Sequence, residues 1–147
     1  MGKNVVKNLD KVIKQMQNLG VNAEKSIVKI NEKTAQEIVS NAKVNARNLG
    51  VFDNGKLVQG IATNSEGKLN QVVFAKEKYS AYMEFGTGGL VSVPSELKEV
   101  AAKFKGKGIK KINIQPRPFL YPAFVKGRVQ YLEDLKAKLN ELVKKNG

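Results

Sequence analysis

The sequence predicts an α+β fold with N-terminal helices, a small antiparallel sheet built on a β-hairpin, and a C-terminal helix packed on that sheet. Two observations support this prediction. Apolar residues recur at spacings of three and four near both ends of the chain, which is the period of one helix face. The middle of the chain holds short runs rich in Val, Ile and Phe between Gly- and Asn-containing turns, which is typical of hairpin strands.

The N-terminal third predicts two helices. The first runs from Val5 to Leu19, and Gly20 is expected to end it because glycine commonly follows the last helical residue. The second runs from about Ala23 to Ala46, with Asn22 as its N-cap. Its apolar face comprises Ala23, Ile27, Ile30, Thr34, Ile38, Ala42 and Ala46.

The β-hairpin is predicted from two runs, Leu57–Thr63 and Leu69–Ala75. The turn between them, residues 64–67, is short enough to impose antiparallel pairing. After the hairpin we expect a short helix within Pro94–Phe104 and a short strand at Ile112–Ile114.

The C-terminal helix is predicted from Ala123 onward. Lysines concentrate in its second half, where the helix dipole favours positive charge. Its apolar stripe comprises Val125, Val129, Leu132, Leu135, Leu139, Leu142 and Val143.

Length and charge limit the kind of protein. The 147 residues suit a single domain spanning residues 1–147, with a lysine-rich insertion at about 88–113. The formal net charge of +13 favours an acidic partner surface, nucleic acid or anionic lipid. No apolar run is long enough to cross a bilayer and the first residues have no signal-peptide core, so we expect no membrane association and synthesis in a cytoplasm.

The sequence argues against an enzyme. It has no histidine and no cysteine, which removes the usual general base and the commonest metal ligands. The carboxylates are scattered, and adjacent Glu133 and Asp134 point to different sides of a helix. We therefore expect no catalytic, cofactor-binding or metal-binding residues, and no cofactor.

Two strings of residues are the most distinctive in the chain. The first is Tyr79–Thr87, in which Glu84 lies between Met83 and Phe85 and is expected to be half-buried and to need a hydrogen-bond donor. The second is Pro118–Phe124, in which the prolines make a rigid entry into the last helix. By themselves, both strings are compatible with core packing and turns.

Together these strings resemble the head–tail joining proteins of tailed bacteriophages, also called neck, tail-completion or minor tail proteins. The resemblance rests on the segment 54–57 followed by Gly60-Ile61, on Tyr79–Thr87, and on Pro118–Ala123, in that order. The sequence departs from the family pattern in Ser80, in Asn54 and in the length of the lysine-rich insertion.

The resemblance implies a virion structural protein without catalysis, located at the head–tail junction or in the tail. Such proteins are expected to form a homo-oligomeric ring, often a hexamer, that contacts other connector and tail proteins and lets DNA pass through its centre. The family-motif residues that we assign to an interface or to the core are Tyr79, Tyr82, Glu84, Phe85, Gly86, Thr87, Pro118, Phe119 and Pro122. The lysines that we assign to contact with DNA or an acidic partner are Lys103, Lys105, Lys107, Lys110 and Lys111.

Three other functions are compatible with the sequence. The main alternative is a nonspecific nucleic-acid-binding protein, which the net charge alone supports. A small hydrolase or nuclease would need carboxylates that the fold brings together. An adaptor would use the C-terminal helix to bind a partner helix.

Overall fold

The computed structural model describes the backbone of residues 2–50, 55–103 and 113–146, and the side chains of residues 11–50, 55–103 and 113–145. Within these residues the fold is α+β, as predicted. The elements are α1 (Gly2–Asn48), α2 (Lys56–Gln59), β1 (Ile61–Ser65), β2 (Gln71–Ala75), α3 (Ser80–Phe85), 3-10 turns at Gly88–Leu90 and Ser95–Leu97, α4 (Lys98–Ala102) and α5 (Leu120–Asn146).

A single continuous helix of 47 residues forms the N-terminal third. The predicted break at Gly20 is therefore wrong. A glycine inside a helix costs only about 1 kcal/mol relative to alanine, and no proline follows that would remove a backbone donor. The residues on both sides of Gly20 keep the helical spacing, so the helix continues through it.

Helix α5 packs antiparallel along α1. The carbonyl of Phe119, just before α5, accepts a hydrogen bond from the Asn45 side chain near the end of α1. Further along α5, Asp134 lies 3.6 Å from Lys33 of α1. The prediction placed the C-terminal helix on the sheet, but its main partner is α1, which also contacts both strands.

The β-hairpin is confirmed, with strand boundaries that differ from the prediction. Strands β1 and β2 pair antiparallel, with Ile61 opposite Ala75 and Ser65 opposite Gln71. The first three residues of the predicted first strand, residues 57–59, instead belong to one helical turn, α2. Gly55 precedes this turn with a φ of 81°, and α2 buries Leu57 and Val58 in the core.

The hydrophobic core lies where α1, α2, β1 and the start of α5 meet. The alanines of α1 let neighbouring elements approach closely, while Phe119, Leu57 and Ile61 are the largest fully buried side chains. The buried members of this cluster are Ile38, Ala42, Ala46, Leu57, Val58, Ile61, Phe119 and Ala123.

The remaining predictions are met in part. The short helix expected within Pro94–Phe104 is a 3-10 turn followed by α4, and Phe104 lies outside the described residues. The strand expected at Ile112–Ile114 is wrong for Asn113 and Ile114, which have no strand pairing, and Ile112 lies outside the described residues. Helix α5 begins at Leu120 rather than Ala123.

Candidate interaction site

The two distinctive strings meet at the carboxylate of Glu84, on the last turn of α3. This side chain is buried, with 7% of its surface exposed. Its Oε2 accepts hydrogen bonds from the backbone N–H groups of Phe119 and Leu120, each at 2.9 Å. Its Oε1 accepts one from the N–H of Tyr121 at 2.8 Å. Glu84 therefore caps α5 from another part of the chain.

This cap accounts for every unpaired donor at the start of α5. The first N–H groups of a helix have no partner within the helix. Glu84 takes the three that begin at Phe119, and the next residue, Pro122, has no N–H to satisfy. A negative carboxylate at this end is also favoured by the helix dipole. We call this arrangement of Glu84 and residues 119–122 the Glu84 cap.

A second connection lies directly beside the Glu84 cap. The Thr87 N–H donates to the carbonyl of Ile114, and the Ile114 N–H donates to Thr87 Oγ1, both at 2.9 Å. The N–H of Arg117 donates to the carbonyl of Met83 at 2.7 Å. These bonds tie the end of α3 to the extended segment that leads into α5.

Gly86 is required by this close approach. Its φ of 76° and ψ of −178° are accessible essentially to glycine alone. A Cβ atom at this position would lie 2.7 Å from the Ile114 carbonyl oxygen and 2.8 Å from Pro116 Cδ. The glycine thus lets two backbone segments pass in contact.

The aromatic residues of the two strings have different environments. Phe119 lies in the core, and half-buried Tyr79 packs against it. Phe85 is half-buried, whereas Tyr82 is exposed on α3. Pro118 and Pro122 are both exposed. Of the residues that the sequence assigns to an interface or to the core, Tyr82 is the aromatic side chain most available to a neighbour.

The lysine-rich segment is described only at its edge. Lys103 is exposed at the end of α4, and Lys105, Lys107, Lys110 and Lys111 lie outside the described residues. On the nearby surface, Glu96 binds Arg128 of α5 at 3.2 Å, and Arg128 also lies 5.7 Å from the centre of the Phe124 ring. This ion pair joins the segment before α4 to α5.

The electrostatics of the described surface are those of exposed ion pairs. At the end of α5, hydrogen bonds from Lys145 and Lys138 hold the pKa of Glu141 below its usual range. Among the described residues no group of Asp and Glu side chains is close enough to hold a metal ion. No described helix is long and apolar enough to cross a membrane.

Sequence reasoning missed two features of this site. It did not find Asn45, whose side chain fixes the chain just before α5, because a mid-helix asparagine carries no distinctive pattern. It also did not separate the buried residues of the apolar stripe of α5 from the exposed ones. Leu142 is buried, but Val129, Leu132, Leu139 and Val143 are exposed. The number of apolar positions on α5 exceeds what one helix face buries, and this excess could have indicated that some of them are exposed.

Comparison with known proteins places the chain in a family. A family model described as "Bacteriophage HK97-gp10, putative tail-component" matches residues 10–86, just over half of the chain. The matched region runs from α1 through the hairpin and α3 to Gly86, and so includes Glu84. No curated protein and no solved structure matches the chain. The chain belongs to the HK97-gp10-like family of bacteriophage tail components.

Proposed function

We propose that this protein is a non-catalytic subunit of the bacteriophage head–tail connector or tail-completion complex, and that its copies assemble as a ring through which DNA passes. Its family gives the broader part of this function: the chain is a structural component of the phage tail or neck, it belongs to the virion, and it works with other phage proteins. The ring and the passage of DNA are the proposed part.

The observation that supports assembly most directly is the surface of the two long helices. Large apolar side chains remain exposed on α1 and on α5, including Met16 with 66% of its surface accessible and Val143 with 57%. Extended apolar surface of this kind marks protein interaction sites. A subunit that assembles would cover it.

The use of the distinctive motif residues supports a structural role. Glu84 is a buried carboxylate of the kind that often serves catalysis, but both of its oxygens are bound to backbone N–H groups of residues 119–121. The carboxylate thus holds α3 and α5 together. The chain also has no histidine or cysteine to supply a general base or a thiolate nucleophile.

Charge supports a path for DNA. The net charge of +13 attracts phosphate without reading sequence, and lysine outnumbers arginine heavily, which suits nonspecific contact. We place the exposed Lys103 and the lysines that follow it on the DNA side or against an acidic partner ring.

The test is the mass of the protein in solution, measured by light scattering across protein concentration and salt, with and without duplex DNA. The proposal expects a discrete ring-sized species, either stable by itself or formed as concentration rises. A monomer or dimer that never assembles, but binds DNA with steep salt dependence, would instead support a nonspecific nucleic-acid-binding protein.

A further inference from the structure

We propose that the N-terminal part of α1, residues 2–19, packs against the outer face of α5 of a neighbouring copy. We call this part of the helix the arm. The inference rests on the proposed function, since it names the contact that would join successive subunits of the ring. It also goes beyond that function, because a ring does not specify which surfaces meet.

The arm extends past the end of α5. Helices α1 and α5 are antiparallel, and Asp134 of α5 lies beside Lys33 of α1. Helix α5 ends 12 residues later, at Asn146. With the same rise per residue in both helices, its end is level with roughly residue 20 of α1. The arm therefore projects by about 27 Å, at 1.5 Å per residue.

One side of the arm is apolar, and the described part of the chain leaves it exposed at Val12, Ile13 and Met16. Leu19, at the end of the arm, is half-buried. In the sequence, Val5 and Leu9 continue the same spacing toward the N-terminus. An isolated helical segment of this length is marginal in water unless an apolar face packs on something. The arm is thus a segment that a partner would stabilise.

Helix α5 has two faces with different environments. One face meets α1 where buried Gly127 lies against Ile38, and buried Leu142 also lies away from the exposed series. The other face carries exposed apolar side chains, and the exposed Lys136 falls in the same series. We call this series the outer seam: Val129, Leu132, Lys136, Leu139 and Val143.

The arm and the outer seam share one period. The outer seam advances by alternating steps of three and four residues. Val5, Leu9, Val12, Met16 and Leu19 on the arm alternate in the same way over the same length of 14 residues. This is the spacing at which two helices interdigitate side chains as knobs into holes. The two apolar series therefore have matching geometry.

Charge favours the arm, rather than a second α5, as the occupant of the outer seam. Two outer seams facing each other in register would bring their Lys136 side chains together, and this juxtaposition of like charges is unfavourable. The arm avoids this repulsion, because Val12 lies at the centre of its series and the flanking positions carry no charge; they are Val6, Asn8, Ile13, Gln15 and Gly20. The lysines of the arm fall outside those flanking positions.

The contact joins two different faces, so it repeats around a ring. A pair of arms packed on each other would leave both outer seams exposed, whereas an arm on a seam covers both surfaces. A few half-exposed aliphatic side chains cover only part of the roughly 800 Å² per partner that a standard interface buries. A subunit in a closed ring makes the contact twice, once through each face, which favours closure over a single pair.

Disulfide trapping tests the contact cleanly because the chain has no native cysteine. Val12→Cys and Lys136→Cys place thiols at the centres of the arm series and the outer seam. These two positions lie opposite each other when the arm runs antiparallel to α5, the direction in which the two orders of steps coincide. We expect oxidation of the two mixed single variants to give covalent heterodimers at least tenfold more abundant than either homodimer. Lys14→Cys, on another side of the arm, replaces Val12→Cys in the matched control and should trap little.

The possible outcomes distinguish a failure of the arm contact from a failure of the ring proposal. A ring-sized species by light scattering with no Val12–Lys136 product would overturn the arm contact and leave the ring. Strong Val12→Cys homodimers would overturn it in favour of paired arms. A monomer under all conditions would overturn both proposals.

A second pair of variants tests the same contact without oxidation. Met16→Glu places a charge in the apolar series of the arm, whereas Gln17→Glu adds the same charge beside it at an exposed position. We expect Met16→Glu to raise the concentration needed for assembly at least tenfold and Gln17→Glu to change it less than threefold. The thermal midpoint of the monomer should stay unchanged in both, because Met16 is exposed. Equal assembly by the two variants would contradict the contact.

Discussion

The N–H of Tyr121 donates a 2.8 Å hydrogen bond to Glu84, a residue 37 positions earlier in the chain. The same carboxylate binds the N–H groups of Phe119 and Leu120, so a side chain on α3 supplies the N-terminal cap of α5. This relationship explains why the two distinctive strings of the sequence occur together. One provides the carboxylate, and the other provides the donors and the proline that completes the cap.

Removing the Glu84 carboxylate should destabilise the fold. We expect Glu84→Ala to lower the free energy of unfolding by about 3 kcal/mol, because it leaves the buried Phe119 N–H and two partly buried donors unpaired. Glu84→Gln should cost less, since its amide oxygen still accepts. Urea unfolding followed by circular dichroism measures both. Glu66→Ala, at an exposed turn position, is the control and should stay within about 0.5 kcal/mol of the parent.

Gly86 should not tolerate a side chain. Gly86→Ala forces a left-handed backbone conformation on alanine and a contact with the Ile114 carbonyl and Pro116. The backbone strain alone costs about 1–3 kcal/mol, so we expect at least that loss of unfolding free energy. Gly89→Ala is the matched control, since the nearest atom to its added methyl group is 4.0 Å away. Equal stability of the two variants would argue against the close approach of these segments.

Gly20 provides a test of the continuous helix α1. A Cβ at this position meets nothing within 4 Å, and alanine is favoured over glycine in a helix interior by about 1 kcal/mol. We expect Gly20→Ala to increase the helical signal in circular dichroism, and Gly20→Pro to reduce it by disrupting the arm. If the helix instead ended at Gly20, as the sequence alone predicted, the proline variant would leave the helical signal almost unchanged.

The crossing of α1 and α5 depends on Gly127. An added Cβ there would lie 2.7 Å from Ile38 Cδ1 and closer still to Cγ1. We expect Gly127→Ala to lower the unfolding free energy by about 1–3 kcal/mol, the usual cost of overpacking.

A double-mutant cycle identifies the cause of that loss. In an Ile38→Ala background the obstructing side chain is gone, so Gly127→Ala should become neutral or stabilising. If the cost of Gly127→Ala is the same in both backgrounds, contact with Ile38 is not its source.

The local pattern predicted the hairpin and the buried face of α1 from Thr34 to Ala46. Antiparallel pairing of residues 61–65 with 71–75 follows from a short polar turn between two β-type runs. Thr34, Ile38, Ala42 and Ala46 are buried as their spacing predicted. The strand predicted from Leu57 was wrong for residues 57–59, because these residues form part of a helical turn despite their β-type composition. Burial of Leu57 and Val58 against α1 decides the conformation there, and propensity does not.

The helices at both ends of the chain, the hairpin between them and the family to which the chain belongs are all evident from the sequence. These features depend on residue spacing and on short strings, and so on residues that lie close together in the chain. Three features follow from tertiary contacts: α5 packs on α1, Glu84 caps α5, and certain apolar residues of the two long helices stay exposed. Each of these is a contact between residues far apart in the chain, and spacing along one helix does not specify which face meets which neighbour.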